Sequence, residues 1–416
     1  MDGVDSDRTE SGFKVRTRVE TARSVLETAI DEHDVACERN RIPLERADGR
    51  VLAESITAAV DVPHYERAAM DGYAVRASDT FGATDRSPAV LEEQSTPDYE
   101  TPVAPQVARR VHTGSALPPD ADAVVMIEHV ESYEATGELE VLESVAEGEN
   151  VAPVGEDVES GQKLYEPGHR LRPSDLGLVR SVGVTRPLVA DQPTVGVIPT
   201  GEEVVHENPG PGEVIETNGL TVSRLVERWG GRSTHRDIVT DDPESLRVAI
   251  QRDLTKDVIV TTGGSSVGER DLLPEVIDNL GDVLVHGVAL KPGHPVCIGI
   301  VEKTPVLALP GYPVACIVNA VQFLRPVLAW LQGTEPAPHP SVQATLERKI
   351  PSEPGTRTFA RVALEGAGDD LTAVPTRASG SGVLSSVALA DGWVVVPEAR
   401  EGIPAGEAVA VELWEQ

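Results

Sequence analysis

The chain has 416 residues, enough for two to four domains with substantial cores. Its 36 Lys+Arg against 68 Asp+Glu leave a net charge of −32, which repels nucleic acid and anionic membrane and excludes both as partners. Acidic charge spread over an apolar-patterned chain is the expected surface of a halophilic protein, working where the Debye length shrinks to about 3 Å at 1 M salt.

Residues 1–12 are polar and acidic and are expected to form a disordered tail, without the apolar stretch of a signal peptide. Val19, Ala22, Leu26 and Ala29 then mark an amphipathic helix that ends near His33. Residues 51–150 turn to short β-type runs broken by Gly and Pro, which predicts a β-rich domain. The loop-rich stretch 151–183 is expected to return to 13–50 and share one elongated module with it.

From Pro193 the rhythm becomes strand, glycine turn, helix. TVGVIPTG reads as a strand and turn, and Val222, Leu225, Val226 and Trp229 as a helical stripe stopped by Gly230 and Gly231. DIVTDD is strand-like, and Asp242-Pro243 opens a helix. Residues 257–271, DVIVTTGGSSVGERD, form the strand and glycine loop on which this region turns, followed by a helix on Leu273, Val276, Ile277 and Leu280. VLALPG and the stripe Val314, Ile317, Val318, Val321 complete the pattern. Repeated units of this length predict an α/β domain over 184–333, a parallel sheet with helices on both faces. Residues 340–416 alternate apolar and polar and predict a small C-terminal all-β domain. The fold class is thus α/β plus β, multidomain.

No apolar run reaches about 18 residues, so no membrane span is expected. Cys37, Cys297 and Cys316 lie far apart without a CxxC pair, which argues against disulfides and thiolate zinc and fits a cytoplasmic location.

The signatures GxxxxGK[ST], GxGxxG and HExxH are all missing. Three strand-end loops should instead converge on one rim of a parallel sheet: 199–203 (PTGEE), 261–271 (TTGGSSVGERD) and 309–313 (LPGYP). Two of them carry acids just past a glycine, and Asp241 lies near another strand end. Glycine lets backbone approach a ligand, and acids beside such a loop suit phosphate held through hydrated Mg²⁺. Lys291, in the turn KPGHP, reads equally as a surface lysine or as a phosphate counter-ion. RAAMDGYA (67–74), His112-Thr113-Gly114 and Gly155-Glu156-Asp157 read bare as turns.

The order of motifs closely resembles the molybdopterin molybdenumtransferases, or molybdenum insertases, the family that includes the gephyrin E domain. The resemblance spans roughly residues 20–416 through DVPHYERAAMDGYAVR, VHTGSALPPDADAVVMIEHV, ENVAPVGEDV, VIPTGEEV, GEVIETNG, TTGGSSVGERD, LKPG, LPGYPVA and GSGVLSSVALADG. It implies an elongated four-domain homodimer whose α/β domain binds molybdopterin and whose C-terminal domain is a small β-barrel. The implied reaction inserts molybdate into adenylated molybdopterin with Mg²⁺ present, cleaves the adenylate and releases AMP. It also implies contact with the enzyme that adenylates molybdopterin.

Carried over by motif, Asp71, Thr113 and Asp157 would come from the β-rich side of the partner subunit, and Asp71 and Thr113 would position the dithiolene end. Asp271 would act in catalysis and, with Glu203 and Asp241, hold Mg²⁺. Thr261, Gly263, Gly264, Ser265 and Lys291 would meet the phosphate, Pro310 and Pro313 would shape the pterin loop, and Arg357 and Ser381 would edge the cleft. Ala152, Gly287, His294 and Tyr312 depart from the residues common there, which leaves fewer cations facing a polyanionic ligand. Rival classes are a molybdopterin adenylyltransferase using ATP, a nicotinamide-nucleotide amidase and a non-catalytic molybdopterin-binding scaffold.

Overall fold

In the computed structural model, residues 16–95, 100–264, 272–376 and 380–415 are described. Helix α1 (Val19–Glu32) buries Val19, Ala22, Leu26 and Ile30. This stripe packs in one cluster with Val195, Leu307 and Phe323 of the α/β domain. That corrects the expectation that it pairs with 151–183: periodicity says that a helix face is buried, not what buries it. Residues 158–189 meet 42–62 instead, through Leu44, Leu52, Ile56, Leu171, Val179 and Val189 in one small core and Ala58, Val158 and Val182 in another. Residues 51–62 therefore pack with this module rather than within the β-rich sheet.

The β-rich sheet consists of β1 (Gly72–Val75), β2 (Ala89–Glu93), β3 (Val107–Val111), β4 (Ala123–Met126), β5 (Val130–Tyr133) and β6 (Glu138–Val141), in spatial order β4-β1-β3-β2-β6-β5. Tyr73, Val75, Leu91, Val125 and Leu139 form its own core.

The α/β domain follows as β7 (Thr194–Pro199), α2 (Asn218–Arg228), β8 (Arg232–His235), α3 (Pro243–Asp253), β9 (Val258–Thr262), α4 (Leu272–Leu280), β10 (Asp282–His286), β11 (Leu290–Lys291), β12 (Cys297–Val301), β13 (Thr304–Leu309) and α5 (Pro313–Asn319). A π-helical turn (Ala320–Leu324) leads from α5 into α6 (Arg325–Leu331). The sheet order is β8-β7-β9-β13-β12-β10. Its first four strands are parallel, but β12 pairs antiparallel with both β13 and β10, so the expected all-parallel sheet is mixed by one reversed strand. The short β12–β13 connection, Glu302 at φ 56°, is a hairpin rather than a crossover. Both faces of the sheet are covered: Val197, Val260 and Leu307 lie in the cluster of α1, α2 and α5, while Ile198, Ile259 and Val306 lie with Leu246 of α3 and Leu273 of α4. The helical run Pro313–Leu331 has the length and hydropathy of a membrane span, yet 89% of it is buried in the protein, as in a core helix.

The C-terminal strands β14 (Ser341–Leu346), β15 (Arg357–Glu365), β16 (Thr372–Pro375), β17 (Gly392–Val396) and β18 (Ala408–Glu412) pair in the ring β15-β16-β14-β18-β17-β15 and close a small barrel. β11 adds to its edge beside β15. Trp393 stacks on Trp414 and meets Phe359 edge-on, and all three belong to the α/β cluster. The barrel and the α/β domain thus share a core, which fixes the loop 380–383 against the sheet's C-terminal rim.

Candidate active site

Register places three strand ends level. Pro199 pairs with Thr262 and Thr262 with Leu309, so the turns after β7, β9 and β13 leave one edge of the sheet together. Gly263 N donates to Leu309 O at 3.0 Å. A Cβ on Gly263 (φ 150°) would sit 2.2 Å from Thr200 O, so only glycine permits this approach. Gly311 lies beside Gly263, and Asn218 Nδ2 donates to Gly311 O at 2.7 Å. Thr261, Gly263, Gly264 and Pro310 therefore lie together at this edge. Pro313 opens α5, and Ser381 O accepts from Val314 N at 3.0 Å, which brings the barrel loop onto the same rim.

The hydroxyls of Thr200, Thr261 and Thr262 are buried there with no hydrogen-bond partner among the described residues. Each such group costs on the order of 1–3 kcal/mol and calls for a partner in the working state. Thr200 and Asn218 escaped the sequence reading. Asn218 lay within GEVIETNG, and the register of β7 against β9 is what singles out Thr200.

Glu203 is exposed on the turn after β7, and Asp241 is half-buried. Thr200 bridges Val239, which holds the turns of these two acids side by side. Asp242 is occupied as the N-cap of α3, accepting from Glu244 N and Ser245 N. No group of three His, Cys, Asp or Glu is placed to share a metal among the described residues. Mg²⁺ keeps several waters and takes one or two carboxylates plus substrate phosphates, so Glu203 and Asp241 fit that ion. Asp271 and Ser265 lie outside the described residues.

Lys291 Nζ pairs with Glu353 Oε1 at 3.0 Å, both side chains more than half exposed. Its turn packs on α5, with Asn319 Nδ2 donating to Gly293 O at 2.9 Å. His294 is held below its usual pKa, first by burial and then by Arg16, so Lys291 is the charge of that turn. Arg357 is largely buried and engaged by Glu20 at 2.6 Å and Glu398 at 3.1 Å. In this arrangement it staples α1 to the barrel.

The β-rich body carries a second cluster. Thr113 donates to Asp71 Oδ1 from its backbone N (2.7 Å) and from Oγ1 (2.9 Å). These bonds, the backbone one foremost, hold the Asp71 carboxyl below the usual carboxylate range, and His112 and Arg110 add to this. Gly72 is required at the start of β1, because a Cβ there would lie 1.9 Å from Val125 O. Asp157 is exposed on a turn held to the segment 51–62, its N donating to Val62 O at 2.9 Å. The hydrogen bonds between Asp71 and Thr113 lie within this body, whose core is separate from that of the rim.

The description "MoeA N-terminal region (domain I and II)" matches residues 17–183, "Probable molybdopterin binding domain" 196–330 and "MoeA C-terminal region (domain IV)" 343–414. The molybdopterin molybdenumtransferase of Bacillus subtilis is 31% identical over 384 residues, 89% of this chain and 89% of that protein. That of Haemophilus influenzae is 31% identical over 377 residues, 89% and 92% of the two chains. A crystal structure of a molybdopterin biosynthesis MoeA protein from Pyrococcus horikosii superposes with a TM-score of 0.80 at 34% identity, covering 96% of this chain and 99% of that one. The three regions in order, with relatives of this identity along most of both chains, establish that the chain belongs to the molybdopterin molybdenumtransferase, or MoeA, family.

Proposed function

We propose that this transferase of molybdenum cofactor biosynthesis inserts molybdate into adenylated molybdopterin, with cleavage of the adenylate and release of AMP. The observation that carries the reading is the rim itself: glycine turns level at three strand ends, with buried threonine hydroxyls beneath them that have no partner among the described residues. The turn 261–264, with Ser265, receives the terminal phosphate of the pterin, and Pro310 and Pro313 hold the loop that borders its ring. Glu203 and Asp241, with Asp271, hold Mg²⁺, which when bound offsets anion repulsion and polarises phosphorus. Lys291 supplies the cationic charge of the same edge once it leaves Glu353.

Asp71 and Thr113 of a second subunit orient the dithiolene end, and Asp157 acts from the same subunit. Asp71 can do so because its carboxylate stays ionised and is fixed by two bonds from Thr113. The working unit is accordingly a homodimer, which also meets the adenylating enzyme that supplies its substrate. Cys37, Cys297 and Cys316 are buried and form no disulfide, which fits a reducing cytoplasm.

The test is to mix the purified protein with adenylated molybdopterin, Mg²⁺ and either molybdate or tungstate, then to quantify AMP and metallated cofactor. Both products should rise together and require the oxyanion. AMP formed without metal insertion, or ATP consumed instead, would reject the reading in favour of another nucleotide chemistry.

A further inference from the structure

Tyr312 occupies the N-cap of α5, a position that favours short side chains able to accept from the first backbone N–H groups. It makes no such side-chain bond, and Ser381 O from the barrel receives Val314 N in its place. The ring is 65% exposed in a chain whose aromatic content is only 3%, so this solvation is not forced by abundance. One side of the ring rests on the backbone of Gly382: a Cβ there would stand 3.3 Å from Cδ1 and 3.6 Å from Cε1. Its neighbour Gly311 lies beside Gly263, where a Cβ added to Gly311 would stand 3.6 Å from the Gly263 Cα, so the ring stands at the edge of the glycine rim. Val383, next to Gly382, adds exposed apolar surface beside it.

A residue that forgoes its local role and leaves a braced aromatic at the rim of a site has been placed there for a ligand. We propose that Tyr312 is a stacking platform for a planar fused nitrogen heterocycle of the substrate, the pterin or the adenine. This rests on the function proposed above and names a contact that it does not contain. Stacking suits both heterocycles, since each offers a π-face, and Gly382 keeps the ring from folding away.

Calorimetric titration of the unsubstituted protein and of Tyr312→Phe, Tyr312→Ala and Tyr312→Asn, with a phosphorylated pterin and with AMP as separate probes, tests it. Tyr312→Phe should bind as the parent does, whereas Tyr312→Ala and Tyr312→Asn should bind one probe roughly tenfold more weakly. The affected probe identifies which heterocycle stacks. Asparagine restores a capping side chain, so Tyr312→Asn should melt at or above the parent temperature while binding less well. Parent-like binding of both probes by Tyr312→Ala would overturn the proposal, as would weaker binding that tracks a change in subunit mass. If the parent binds neither probe, the functional reading itself fails, and the stacking role falls with it.

Discussion

Asp71 illustrates how much a single residue's role depends on its partner. An exposed aspartate beside a β-turn is ordinary, but two donors on one oxygen keep this one ionised to lower pH than usual. Its folded pKa lies below the unfolded value, so whatever the carboxylate contributes is present above the unfolded pKa and lost as pH falls through the folded one. Thr113→Ala removes the Oγ1 bond and leaves the backbone bond. The Asp71 titration, followed by carboxyl NMR, should therefore move upward but stop short of the ordinary aspartate value, and the acid limb of AMP release should move with it. An unmoved titration would show that Oγ1 does not hold Asp71. At this scale the sequence named the pair only through the resemblance. Bare spacing could not, because the 41 residues between them must first pair β1 with β3.

The elements were legible where one period governs them. The strands β7, β9 and β13, their glycine turns and the following helices were readable because buried strands ending in Gly before an amphipathic stripe have few alternatives. The reversed strand β12 was not, since a hairpin at 302–303 and a crossover both follow an apolar run. Nor was the partner of α1, whose stripe fits any apolar face. Arg357 was placed by motif at a cleft, while Glu20, 337 positions earlier, supplies one of its carboxylates.

The turn after β9 carries the sharpest prediction at this scale. Gly263→Ala forces a Cβ onto Thr200 O in a backbone region closed to alanine, and should cost about 1–3 kcal/mol with loss of pterin binding. Gly114→Ala, at φ 85° with nothing within 4 Å, should cost only the about 1–2 kcal/mol of a left-handed residue. Chemical denaturation of the two variants separates these effects. Equal losses and intact binding in both would mean that the rim is not sterically set.

Over the whole molecule, a net charge of −32 makes self-repulsion a general destabilising force. Screening should raise the melting temperature steadily between 0.1 and 1 M KCl, roughly as the Debye length falls from about 10 to about 3 Å. A melting temperature that falls over that range would remove the halophilic reading. The shared core of barrel and α/β domain, through Phe359, Trp393 and Trp414, should make these two melt as one unit. The β-rich sheet has its own core, separate from theirs, and should melt apart from them.

That division yields the most direct test of the account, in which one working site needs the rim of one subunit and the Asp71 cluster of another. AMP release should be measured for Asp71→Asn, for Asp241→Asn, and for dimers reassembled from an equal mixture of the two. Each variant alone should be inactive, and the mixture should recover about a quarter of the parent rate, because half of the dimers then hold one intact site out of two. Verified mixed dimers that remain as inactive as the separate variants would contradict it.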